Sequence, residues 1–261
     1  MTAKFETLLY EVADGIGILT INRPKAMNSV NDRLLEETYV ALEMMEKDPA
    51  VKAIIITGGD KVFAAGADIK AVSEYNAFEA RAFIDLVHKT IFKLEDNQKP
   101  TIAAICGFAL GGGTELALAC DVRIAADNAT FGLPEISLGI YPGGGGTQRL
   151  PRLIGLGRAK ELIFTGDFFP AQRAYEMGMI NQLVPADQVM DAAKKLARKL
   201  TKKPPLALRL AKSAINASMN TDIKSGCRLE QEGFAMLFAS ADQKEGMGAF
   251  LEGRKANFQG K

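Results

Sequence analysis

The run TIAAICGFALGGGTELALAC, Thr101 to Cys120, constrains the fold more than any other stretch of the chain. It is apolar almost throughout, interrupted by three adjacent glycines and by one carboxylate, Glu115. A membrane span wants about twenty predominantly apolar residues and does not accommodate a glycine triplet and an acid at its centre. Divided differently, TIAAICG reads as a buried strand, Gly111-Gly112-Gly113 as a turn, and TELALAC as a helix. VKAIIITGG and the shorter VRIAA read as further buried strands. Strands that are continuously apolar rather than alternating belong to a largely parallel sheet covered on both faces.

The segments between these strands carry helical spacing. NDRLLEETYVALEMMEKD places Leu34, Thr38, Ala41 or Leu42, and Met45 on one face and is stopped by Pro49; a second helix runs from about Tyr75 to Glu95, ahead of Lys99-Pro100. At the start, TLLYEVA and GIGILTINR flank the turn signal Asp14-Gly15. The strand–helix–strand rhythm specifies an α/β class with right-handed crossovers. After about Gly157 the pattern is mainly helical, with a strand only at NQLV, and Pro205 to Phe258 reads mostly as helix. The expected division is an α/β core over 1–200 and a helical region over 201–261, the latter either a second packing layer or an oligomerisation surface.

Composition excludes several function classes. At 261 residues with a formal net charge of +1, the chain has no overall field to gather nucleic acid or an anionic membrane. Cys106, Cys120 and Cys227 show no CxxC spacing, which suits a reducing cytoplasm and no metal centre. The N-terminal MTAKFETLLYEVADGIG lacks the long apolar core of a signal peptide. His88 is the sole histidine and reads as surface or packing, so a His-based triad is excluded. Neither a phosphate-binding Walker ending nor a dinucleotide fingerprint is present.

Three stretches are left to carry chemistry. KVFAAGADIK, Lys61 to Lys70, reads as a tight loop in which Gly66 takes an unusual backbone angle and the backbone presents a free N–H. The glycine turn before Glu115 opens a helix whose first N–H groups lack partners, a geometry suited to a developing oxyanion. Glu115 itself, among apolar neighbours, must be paired, hydrogen-bonded or working. In FGLPEISLGIYPGGGGTQRL, Pro134 holds Leu133 extended and so fixes Glu135, and Gly143 to Gly146 precede another helix start. Two carboxylates tied to glycine-shaped backbone, twenty residues apart, form an acid/base pair if they face one pocket.

At these residues the chain resembles the enoyl-CoA hydratase (crotonase) family. The resemblance runs from LTINRPKAMNS through FAAGADIK, IAAICGFALGGGTELALACDVRIA, FGLPEISLGIYPGGGGTQRLPRLIG and LIFTG to DQKEGMGAFLEGRKANF. It implies a crotonase-like (ClpP/crotonase) fold of repeated ββα units with a C-terminal helical trimerisation region, and a trimer or dimer of trimers. By the same resemblance, the backbone N–H groups of Ala67 and Gly112 form a thioester oxyanion hole, and Glu115 activates water while Glu135 exchanges the α-carbon proton. Gly143 helps to seat the water, the coenzyme A moiety lies along Ala65, Ala67, Asp68, Ile69 and Lys70, and Lys25 sits near its phosphates. No metal or redox cofactor is implied; the acyl-CoA thioester is the substrate.

The implied activity is reversible addition of water to a short- or medium-chain enoyl-CoA, or its reverse as a 3-hydroxyacyl-CoA dehydratase. Alternatives are action on a cyclic or dienoyl-CoA, double-bond isomerisation, or a non-catalytic CoA-binding role; isomerases of the family commonly lack one of the two acids. The chain departs from the family's frequent residues at Leu133, where Gln is common, at Thr114, where Cys is common, and at Gly253, where Lys is common. Either Arg254 or Lys255 substitutes for that lysine, or the contact it makes in relatives is absent. The helix over Tyr75 to Glu95, including Phe78, Phe83 and Leu86, is expected to shape the acyl end.

Overall fold

The structure, a computed structural model, describes residues 4–261. The reading of the N-terminal stretch rests in part on residues 1–3, which lie outside the described residues. Asp14 and Gly15, at φ 53° and 79°, close the hairpin between β1 (Leu8–Ala13) and β2 (Ile16–Ile21). Two consecutive positive φ values match the twist of the flanking strands, which is why this dipeptide signals a hairpin. In α1 (Asp32–Lys47), Asn31 caps the first turn by accepting the Leu34 N–H at 3.0 Å. Its buried face carries Leu34, Thr38, Ala41, Leu42 and Met45, as the spacing predicts.

The chain continues through β3 (Ala53–Thr57), β4 (Val62–Ala64), α2 (Ile69–Val72) and α3 (Ala77–Glu95). Next come β5 (Thr101–Ile105), β6 (Phe108–Leu110), α4 (Gly112–Leu118), β7 (Val122–Ala126) and β8 (Thr130–Gly132). A 3-10 turn (Pro134–Leu138) leads to α5 (Gly146–Ile154), α6 (Leu156–Thr165), β9 (Phe169–Pro170), α7 (Ala171–Glu176), β10 (Gln182–Val184) and α8 (Val189–Leu200). Three helices end the chain: α9 (Pro205–Ala217), α10 (Ile223–Leu237) and α11 (Ala241–Leu251). Helix α3 begins two residues later than its periodicity predicts, because Asn76 and Glu79 exchange hydrogen bonds with each other's backbone in a capping box.

The strands form two sheets, in the orders β1-β2-β3-β5-β7-β10 and β4-β6-β8-β9. The first repeat, β1-β2-α1, keeps both strands in the six-stranded sheet, whereas β3-β4-α3 and β5-β6-α4 place the first strand there and the second in the four-stranded one. Gly107, at φ 62°, carries the chain from β5 into β6 where a Cβ would strike the Lys61 carbonyl. The first part of KVFAAGADIK is therefore strand β4 rather than loop. Three residues are too few to display a period of two, so sequence spacing is silent on the second sheet. Among the described residues no helix is long and apolar enough to cross a membrane, and the run Thr101–Cys120 is divided among β5, β6 and α4.

The core is one cluster in which Ile54, Ile55 and Ile56 of β3, Ile102 and Ile105 of β5, and Phe63, Phe131 and Phe169 of the small sheet are fully buried. Its last member is Ala197 of α8. The final three helices lean on the core through polar contacts, including Lys212 Nζ to Asp121 Oδ2 at 2.9 Å and Asn216 Nδ2 to the Glu95 carbonyl at 3.1 Å. Large apolar side chains stay outside, with Ile223 85% and Phe250 84% exposed.

Arg123 secures the far end of α4. Its buried guanidinium donates to the Cys120 carbonyl at 2.6 Å, to the Ala117 and Leu118 carbonyls, and to the Met179 carbonyl at 2.8 Å. These include carbonyls that a helix leaves unpaired at its C-terminus. Arg123→Met is expected to lower the unfolding free energy by roughly 2–4 kcal/mol, since buried acceptors lose a charged donor. A fall in the urea midpoint checks this, and an unchanged midpoint would contradict it.

Candidate active site

The site is built where α4 starts. Gly111 stands at φ 49°, ψ −122°, a conformation that glycine alone holds without strain, and a Cβ there would lie 2.8 Å from Glu135 Oε1. A Cβ on Gly113 would collide with the Ala64 carbonyl, so the helix begins hard against β4. The Thr114 hydroxyl lies 2.6 Å from the Ala109 carbonyl and 3.0 Å from the Gly132 carbonyl, tying the first turn to β6 and β8. Together these contacts fix the bearing of Glu115, one residue further along.

Glu115 is 3% exposed, and its Oε1 accepts the N–H groups of Gly144 at 2.8 Å and Gly146 at 2.7 Å. A Cβ at Gly144 would lie 2.6 Å from Oε2, and one at Gly146 would lie 3.0 Å from Oε1. The glycine cluster is therefore a backbone cradle closed onto a carboxylate. Burial pushes the Glu115 carboxyl up to about 7, and the nearby Glu135 charge adds to it; the two N–H bonds and Arg149 act in the opposite sense. Between the ordinary carboxylate range and about 7, the folded chain keeps a proton that the unfolded chain releases. This side chain therefore lowers stability as pH rises through that window. Glu135, on the 3-10 turn after Pro134, is also pushed upward by burial, and its buried Oε2 has no partner among the described residues.

Two backbone donors lie beside the acids. Val30 and Ala67 form a parallel bridge in which Val30 N–H donates to Gly66 at 2.7 Å and Asp68 N–H to Val30 at 2.8 Å. The N–H of the central residue in such a bridge points away from the partner strand, and that of Ala67 meets no acceptor among the described residues. Gly112, the first residue of α4, has no helical carbonyl behind its own N–H. A Cβ on Gly112 would lie 4.0 Å from Ala67 N, so the two donors are neighbours. Through Gly111, the same backbone touches Glu135.

The remaining sequence-selected residues surround this centre. Lys25 is exposed on the 3-10 turn Pro24–Ala26, next to Ala65–Lys70, and Ala65 N–H donates to the Met27 carbonyl at 3.1 Å. Ala65, Ala67 and Asp68 are half-buried, while Ile69 and Lys70 are exposed at the start of α2. The Asp68 carboxylate is paired with Arg23 at 3.0 Å, so its charge is already matched within the chain. Gly143 faces α3, where a Cβ would lie 2.8 Å from Ile84 Cδ1, and its N–H meets no acceptor among the described residues.

On α3, Phe83 and Leu86 are partly buried against the core. Phe78 is 88% exposed in the chain, and Phe83 tilts against Tyr75 at 6.0 Å. Ile84 and Val87 face the glycine loop, because their three-residue spacing sets them on one side of the helix. Leu133 is fully buried next to Pro134. Gly253 is at φ 69° with open space around it, and Arg254 is held by Glu245 at 2.7 Å and Glu252 at 2.6 Å within its own chain. His88 packs, stacking on Phe92 at 5.6 Å. Sequence reasoning passed over Gly144, Gly146 and Arg149; the one available signal was the direct abutment of GGGG on TQRL.

Residues 11–261 match the family described as Enoyl-CoA hydratase/isomerase. The chain belongs to this family. It is 50% identical over 255 residues to the crotonyl-CoA hydratase of Syntrophomonas wolfei, spanning 97% of this chain and 98% of that protein. With the short-chain-enoyl-CoA hydratase of Clostridium acetobutylicum it shares 46% identity over 253 residues, 97% of each. The crystal structure of enoyl-CoA hydratase from Bacillus anthracis superposes with a TM-score of 0.94 at 40% identity, covering 98% of this chain and all of that one. In this member of the enoyl-CoA hydratase/isomerase family, the cradle geometry makes Gly144 intolerant of any side chain. Gly144→Ala is expected to displace the Glu115 carboxylate while leaving the six-stranded sheet intact. A crystal structure of the variant with both Glu115 hydrogen bonds retained would contradict this.

Proposed function

We propose that the chain is an enoyl-CoA hydratase, a hydro-lyase that adds water reversibly across the α,β double bond of a short- or medium-chain enoyl-CoA. The observation that carries this reading is the convergence of two upward-shifted carboxylates, Glu115 buried and Glu135 half-buried, on a backbone with two unpaired N–H groups. In the proposed reaction, the thioester oxygen accepts hydrogen bonds from Ala67 and Gly112. Charge that develops on that oxygen as the enolate forms meets donors already in place, and one such donor is worth on the order of 10²–10³ in rate. Water held by Glu115 and the Gly143 N–H bonds to the β-carbon and yields a proton to Glu115. The α-carbon takes its proton from Glu135. Dehydration of a 3-hydroxyacyl-CoA retraces these steps, its direction set by metabolite levels.

The same proposal assigns the coenzyme A moiety to Ala65–Lys70, with Lys25 near its phosphates; the exposed lysines beside that segment support it. No metal or redox cofactor takes part in these steps. The helices of 201–261 are proposed as the oligomer-forming and site-closing region of a trimer or dimer of trimers. The apolar side chains they leave outside the core support this assignment. A cytoplasmic location completes the reading. A steady-state panel of straight, branched and cyclic enoyl-CoAs defines the acyl preference.

Glu115→Gln and Glu135→Gln are each expected to lower crotonyl-CoA hydration by about 10²-fold or more, the scale of general acid–base catalysis, with CoA-ester binding preserved. Near-wild-type turnover in either variant removes the two-acid assignment. The pH profile is a separate prediction. Because Glu115 works as a base with its carboxyl near 7 while Glu135 must carry the proton it donates, kcat/KM is expected to show an acid limb where Glu115 titrates, at about 7, and to fall again at higher pH as Glu135 ionises. A profile flat from pH 5 to 8, on the order of the window that a base titrating near 7 would occupy, counts against Glu115 as that base.

A further inference from the structure

Arg149 lies on α5 directly behind the glycine loop. Its Nη1 donates to the Gly144 carbonyl at 3.2 Å, and its backbone N–H donates to the Gly145 carbonyl at 2.8 Å. Gly145 stands at φ 102°, and a Cβ there would strike the guanidinium. On the other side, Nε and Nη2 grip the Glu95 carboxylate at 3.2 and 2.5 Å. The guanidinium also sits 5.5 Å from the centre of the Phe92 ring. Glu95 ends α3, and its own carbonyl accepts Asn216 of α9 at 3.1 Å. A fork of this kind is rigid because the planar guanidinium fixes both bonds to the carboxylate at once.

We propose that Arg149 is a positioning residue for Glu115, holding Gly144 from its carbonyl side while the N–H of the same glycine holds the carboxylate, with Glu95 fixing the guanidinium. The inference rests on the hydratase reading for its kinetic consequence, though not for its geometry. Charge acts through the same arrangement. The groups that face Glu115 are Glu135 from the 3-10 turn and Arg149 from α5, with Glu95 of α3 behind Arg149; β4 and β6, which also flank α4, carry no titratable residue. Arg149 opposes the upward push that burial and Glu135 exert on Glu115. A residue that served only to fill space would not do so.

The test compares Arg149→Gln, Arg149→Lys and Glu95→Gln with the wild type in crotonyl-CoA hydration across pH. Alongside, the Glu115 carboxyl is titrated by 13C NMR and assigned through Glu115→Gln. Arg149→Gln is expected to lower kcat by roughly tenfold or more with KM changed by less than about twofold, the pattern of a misplaced catalytic group rather than lost binding. Its acid limb and its Glu115 titration both move to higher pH. Arg149→Lys keeps the charge, so the titration stays near the wild-type position and part of kcat returns. Glu95→Gln removes a negative charge behind Arg149, so the titration does not move upward. An Arg149→Gln variant with wild-type kcat and titration overturns the proposal, as does equal loss in the Gln and Lys variants with an unmoved titration. If the wild type hydrates no enoyl-CoA, the functional reading fails on its own, and the NMR titration still decides the role of Arg149.

Discussion

The rest of the site depends on one contact, the Glu115 carboxylate held by the backbone of Gly144 and Gly146 inside the protein. A carboxylate removed from water is costly unless its oxygens are bonded, and here two N–H groups serve one oxygen and leave the other facing the site. Backbone can come that close only where side chains are missing. The chain therefore places glycines at 144 and 146 opposite the acid, and at 111 opposite Glu135. The partial compensation leaves the acid near 7, with pairing too weak to fix it as permanently ionised.

The fold supplies rigidity to that contact from several directions. The two sheets share the β5-β6-α4 repeat, so β5 and β6 deliver α4 to a junction already braced by β4 and β8. Arg123 closes the back of α4 with its guanidinium, and Arg149 closes the back of the glycine loop. A buried cation and a half-buried one thus stabilise backbone carbonyls at opposite ends of one short helix and its partner loop. The site is pre-organised because nothing in it depends on a free surface side chain.

The terminal helices follow a different physical logic. Helices α9 and α10 bury no residue of their own in the chain, and α11 contributes only Asp242 and Ala249. They are attached by ion pairs and hydrogen bonds to the edge of the core, Lys212 on Asp121 among them. Apolar side chains turned outward over such a length are consistent with the proposed assembly.

The sequence by itself determined the α/β class, the Asp14-Gly15 hairpin, the buried strands β3, β5 and β7, and the face of α1, because each is recorded in several neighbouring residues. It also marked Glu115 and Glu135 as acids tied to glycine turns. Tertiary structure alone decided the second sheet, whose strands of two or three residues are too short to hold a period. It decided as well that Gly144 and Gly146 grip Glu115, and that Ile84 and Val87 face the loop. Arg149 stood in plain view in TQRL, yet its partner Glu95 lies 54 positions away. Contacts across such separations are set by how the layers close on one another, and no local pattern encodes them.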